Sequence, residues 1–108
     1  MGFLYYGSSA SPISIPDRVL AHVKVVIATK LRRGESFTMS WRHPSGEETG
    51  RSTIWIQPSI PLRFVFAAVE PEMLDPQLLQ TYANSANSSS GLTLDIESHD
   101  VPVAERSR

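Results

Sequence analysis

The stretch DRVLAHVKVVIATKLRRGESFTMSW, residues 17–41, decides the fold. At 100° per residue, Val19, Leu20, Val23, Val26, Ile27 and Leu31 fall on one arc of about 140°, the pattern of a helix buried along one side. Arg18, His22, Thr29, Arg32 and Arg33 fall opposite and are expected at the surface. Lys30 lies within the apolar arc, near enough to the helix end for its ammonium to reach water on its apolar stem. Asp17 is placed to cap the first-turn amides, and Gly34 to end the helix in left-handed backbone. Beyond the glycine the period changes to two, with Phe37, Met39 and Trp41 alternating with Thr38, Ser40 and Arg42, which marks a strand.

Upstream, Phe3–Tyr6 and Ile13–Ile15 read as a hairpin of two short strands, the second held short by Pro12 and Pro16. Downstream, the polar loop HPSGEETG leads to a return strand over residues 52–57, and the segment from Pro58 to Pro61 turns the chain into another strand from Leu62. Asp75 followed by Pro76 starts a second helix, with Leu78, Leu79, Tyr82, Ala83 and Ala86 as its inner stripe. The run NSSSG ends that helix, and Leu92, Leu94 and Ile96 alternate in a last strand. The order is ββαβββαβ. It predicts a single α+β domain over residues 1–98, a two-layer sandwich of a mainly antiparallel sheet with both helices on one face. Residues 99–108 are expected to form a disordered tail.

A chain of 108 residues with 41% apolar residues is long enough for one self-sufficient core. It has no cysteine, which excludes disulfides, thiolate metal sites and thiol nucleophiles. The N-terminus lacks a basic start and a long apolar run, and no stretch of about 18 apolar residues occurs, so a soluble, cytoplasmic protein without membrane contact is expected. Net charge is −1 but unevenly spread: residues 1–66 carry +4 and residues 67–108 carry −5. A basic body of this kind points to an anionic partner, although a pI near 6.3 is low for a nucleic-acid binder.

Two features can bear a function. Lys30, Arg32 and Arg33 cluster at the end of the first helix, where cations also complement the helix dipole. With Arg18 they are the candidate contacts to a DNA or RNA phosphate backbone. If Phe37, Met39 and Trp41 face the helices, then Thr38, Ser40, Arg42, Thr53, Trp55 and Gln57 face away. A face with an aromatic, hydroxyls and an arginine suits either stacked bases, through Trp55 and Arg42, or a homodimer or protein partner. Metal binding is not expected, because His22, His43 and His99 match no ligand spacing. No cofactor site is evident. The serines of GSSASP and NSSSG read as turn residues and lack the setting of a nucleophile.

The strings DRVLAHVKVVIATKLRRGESFTMSWRHP, GRSTIWIQPSIPLRFVF and ANSANSSSGL resemble, over almost the whole chain, a family of short uncharacterised actinobacterial proteins. Its members often bear the label ATP-dependent DNA ligase. That label implies nucleotide transfer through a lysine in a Lys-x-Asp-Gly motif. The chain has two lysines: Val25-Val26-Ile27 follows Lys24 and Leu31-Arg32-Arg33 follows Lys30, so neither matches. Three readings therefore stand: a small non-catalytic module associated with nucleic acid, an oligomerisation or protein-interaction module using the face around Trp55, and, with least support, a ligase or ligase accessory. The sequence leans away from an enzyme.

Overall fold

The computed structural model describes residues 1–96. The elements follow the expected order: β1 (Gly2–Tyr6), β2 (Ile13–Ile15), α1 (Asp17–Arg32), β3 (Phe37–Arg42), β4 (Arg51–Ile56), β5 (Leu62–Val65), α2 (Pro76–Ala86) and β6 (Leu92–Leu94). The expected tail over residues 99–108, His99 within it, and the domain boundary at residue 98 lie outside the described residues.

The fold is α+β, with two helices and mostly antiparallel strands. The strands divide between two three-stranded sheets, β2-β1-β5 and β4-β3-β6. The division falls between β4 and β5, where Pro58 and Pro61 bracket the turn. Neither proline has an N–H to donate, so the ladder cannot run on through them. The carbonyl of Pro61 instead accepts from Gly7 N at 2.8 Å, and β5 pairs antiparallel with β1 from Phe3↔Val65 to Tyr6↔Leu62. The phenol of Tyr6 donates to the carbonyl of Trp55 and ties the two sheets together. In the second sheet β3 pairs antiparallel with β4 and parallel with β6.

Both sheets and both helices share one core. Leu4 and Ile15 enter it from the first sheet, Met39, Ile56 and Leu92 from the second, Leu20, Val23 and Ile27 from α1, and Tyr82 and Ala86 from α2. The apolar arc of α1 is buried as its spacing predicts, apart from Leu31 near the helix end, which is half-buried. Burial raises the pKa of the Tyr82 phenol against the charge of Arg18, and Asp95 adds to the rise.

The ends of α1 differ in how far they match expectation. Gly34, at φ 73°, closes the helix: its N–H donates to Leu31 O at 3.0 Å and that of Glu35 to Lys30 O at 3.0 Å, which is the Schellman arrangement. Asp17, however, caps nothing. Pro16 holds the cap position, and the Asp17 carboxylate turns sideways to accept from Ala67 N at 3.1 Å and Ala68 N at 2.9 Å, just past β5. His22 also departs from its expected surface position and is fully buried. Its Nδ1–H donates to the carbonyl of Arg18 at 2.6 Å, which leaves Nε2 to accept from Asp75 N at 2.8 Å. The two side chains fasten both ends of the segment over residues 67–75 to α1, leaving Val69 and Met73 exposed along it. Asp75 caps α2 as expected, accepting from Gln77 N at 2.9 Å.

Burial works against the charge of Asp17, yet the N–H groups of Ala68 and Ala67 and the positive N-terminus hold its carboxyl below the usual carboxylate range. With the folded pKa the lower one, the unfolded chain takes up the proton first as pH falls. The stabilisation is complete at neutral pH and is lost below about pH 4. Asp17→Ala should therefore cost about 1–2 kcal/mol at pH 7, with the gap to wild type narrowing as the pH falls below the ordinary carboxylate range, as read by urea denaturation at neutral and at acid pH. A second test lies at Gly91, where φ is +77° and an added Cβ would stand 2.0 Å from Thr38 Oγ1 and 2.7 Å from Thr38 O. Gly91→Ala should destabilise by at least about 2 kcal/mol in the same assay, because the turn into β6 is pressed against β3.

Candidate functional site: the outer face of the second sheet

The helix-end cluster does not form a free basic patch. Lys30 Nζ donates to Asn87 Oδ1 at 2.6 Å, pairs with Glu35 Oε1 at 3.1 Å and stands 5.8 Å from the centroid of Phe37, with its side chain only 12% exposed. It joins the end of α1 to the end of α2 rather than reaching for water. Arg18 pairs with Asp75 at 3.3 Å, at the start of α2. It lies fourteen residues from Arg32 on the same helix, about 21 Å along the axis. Arg32 Nε makes a long bond to Ala28 O at 3.4 Å, and Arg33 is exposed at the helix cap. Of the four expected phosphate contacts on α1, only Arg32 and Arg33 stand together and accessible.

The second sheet keeps its expected facing. Register places Thr38 opposite Trp55, Ser40 opposite Thr53 and Arg42 opposite Arg51, with Thr93 beside Ser40 on the other flank. Met39 and Ile56 point to the core and are fully buried, so their neighbours along each strand point outward. Trp55 is 51% exposed. Arg42, Arg51, Thr53 and Thr93 are exposed too. Trp55 and Arg51 are four residues apart on β4, so the aromatic end and the basic end of the face lie about 13 Å from one another. Between them Ser40 Oγ and Thr53 Oγ1 are hydrogen-bonded to each other at 2.7 Å.

Arg51 was not among the residues singled out from the sequence, and it is the one that changes the site. Two guanidiniums directly across a strand pair repel, and an anion between them relieves the repulsion. The signal was present in the hairpin, since pairing Arg42 with its partner across the loop leads to Arg51. Among the described residues no group of histidines and carboxylates is arranged to hold a metal ion, and no helix is long and apolar enough to cross a membrane.

The two kinds of cation should separate in a stability assay. Lys30→Ala removes a partly buried bond and ion pair and should cost about 1–2 kcal/mol, whereas Arg33→Ala should stay within about 0.5 kcal/mol of wild type, both read from urea midpoints.

Neither curated proteins nor solved structures give a match to this chain. A family of domains matches residues 1–97, the whole of the described fold. By that match the chain belongs to the DUF7882 family, a domain of unknown function.

Proposed function

We propose that this domain is a binding module for single-stranded nucleic acid, and that the outer face of β4-β3-β6 is its contact surface. The observation that supports this best is the half-exposed Trp55 and the facing pair Arg42 and Arg51 on one side of one sheet. A base stacks on the indole, and a phosphate nearby along the strand is drawn to the two guanidiniums. Because the central hydroxyls of Ser40 and Thr53 satisfy one another, the face offers stacking and charge rather than base-edge readout, and binding has little sequence preference. Arg32 and Arg33 add positive charge from the helix end without belonging to this face.

A second reading rests on Trp55 as the exposed large apolar side chain of that face: two copies associate through it. A ligase activity of its own has the least support. Attack on a nucleotide needs a free lysine amine in the adenylation motif; Lys30 Nζ is held by Asn87 and Glu35, and the exposed Lys24 is followed by Val25-Val26-Ile27 in place of the acid and glycine.

Fluorescence anisotropy of labelled single-stranded DNA or RNA, titrated at 50 and 200 mM salt with light scattering alongside, separates these readings. Nucleic-acid binding predicts affinity that falls with salt. Trp55→Ala should weaken it by about 10-fold or more, and Arg42→Ala or Arg51→Ala should each lower the salt slope by about one. Salt-tolerant dimer mass without binding, lost in Trp55→Ala, sets the nucleic-acid reading aside in favour of self-association.

A further inference from the structure

The segment over residues 67–75 carries chemistry that the face around Trp55 does not use. Three of the six large apolar side chains exposed among the described residues lie on it: Val69 is 94% exposed, Met73 90% and Leu74 43%. The segment is fastened to α1 at both ends, by Asp17 at Ala67 and Ala68 and by His22 at Asp75. Its apolar side chains are thus held out on a fixed support, which lowers the ordering cost of docking. Between the segment and α1 runs a groove of about 340 Å³, with Ala21, Lys24 and Val25 on the helix side and Val69, Glu70 and Leu74 on the other. Ala28, one turn beyond Lys24, is exposed on the same side of the helix. The helix wall therefore offers small side chains, and the segment wall carries the large exposed ones.

Charge is divided in the same way. Lys24 stands on the helix wall, and Glu70 and Glu72 on the segment wall. The ion pairs among the described residues are Arg18 with Asp75 and Lys30 with Glu35, so neither Lys24 nor either glutamate has an ion-pair partner there. A two-fold axis running along the groove, in the plane of contact, turns the helix wall of one copy onto the segment wall of the other. It sets Lys24 opposite the glutamates and the exposed apolar side chains over the small residues of α1, and in an isologous contact each pairing occurs twice. A partner bearing one sign of charge would satisfy one wall and oppose the other.

We propose that the groove between α1 and residues 67–75 is the interface of a homodimer, with a second copy of this chain as its occupant. Val69 and Met73 are the apolar anchors, and Lys24 of each copy pairs with Glu70 and Glu72 of the other. The interface uses no residue of the outer face of β4-β3-β6, so it does not depend on nucleic-acid binding, and either can fail without the other.

The test is analytical ultracentrifugation of the full chain over a range of concentrations. The expected result is a dimer that dissociates on dilution. Val69→Lys combined with Met73→Lys should raise the dimer Kd by about 30-fold or more, while Trp55→Ala leaves it unchanged. Both substituted side chains are exposed, so the melting temperature of the monomer should hold. Charge exchange adds a readout that a structural role would not move. Lys24→Glu alone, or Glu70→Lys with Glu72→Lys, sets like charges across the two-fold and should weaken self-association by about 10-fold. Mixing those two variants restores opposite charges at both pairings and should recover the dimer. A wild-type chain that stays monomeric, a dimer that survives the double lysine variant, a dimer lost in Trp55→Ala, or no recovery on mixing overturns the proposal.

Discussion

Burial of α1 is the constraint on which the rest of this structure depends. Its buried valines, leucine and isoleucine, Val19, Leu20, Val23, Val26 and Ile27, join a cluster fed by both sheets and by α2. Each such side chain contributes about 1.5–3 kcal/mol when taken fully out of water, so the helix is the largest single apolar contribution to the core. A helix this short would be marginal alone in water. It is stable because three other layers need its surface, and they are placed by it in turn.

The polar groups of α1 then fix what the apolar ones cannot. Hydrophobic contact is non-directional and allows the packed elements to slide. Asp17 and His22 supply direction, because each is paired with specific backbone amides on the far side of β5 and at the start of α2. Lys30 does the same at the other end, toward Asn87 and Glu35. His22 and Lys30, which look like surface residues in a linear reading, thus join Asp17 in holding the fold together. The functional candidates move accordingly to the second sheet, whose outer side carries the exposed Trp55, Thr53 and Thr93 among the described residues. There the strand alternation that buries Met39 and Ile56 necessarily turns Trp55, Arg42 and Arg51 outward.

The hairpin between β3 and β4 joins the outer sheet face to the polar loop at its end. Its register brings Arg42 to Arg51, and one residue further on it brings His43 within reach of Ser52 across the loop. A face with an exposed aromatic and two arginines, and a polar pair in the loop, are therefore consequences of a single strand pairing. The outward residues of that pairing face solvent, while Ser52 sits half-buried beside Trp41 on the inward side.

What the sequence determined by itself was periodic. The 3.6-residue pattern of α1, the twofold patterns of β3 and β4, the Gly34 stop and the Asp75-Pro76 start all act over a few residues, and local backbone geometry enforces them wherever the chain packs. The element order and the outward facing of Trp55 and Arg42 followed from these. What only the tertiary structure decided were choices between partners far apart in the chain. Two sheets form because β5 pairs with β1, fifty-eight residues away at Tyr5↔Arg63, instead of with β4 beside it. Asp17, His22 and Lys30 become buried or paired because their partners lie fifty or more residues downstream, apart from the local Glu35 and Arg18 contacts. A side chain's spacing tells which face of its own element it occupies. Whether that face meets water, a carboxylate or a bare amide depends on how the rest of the chain folds over it.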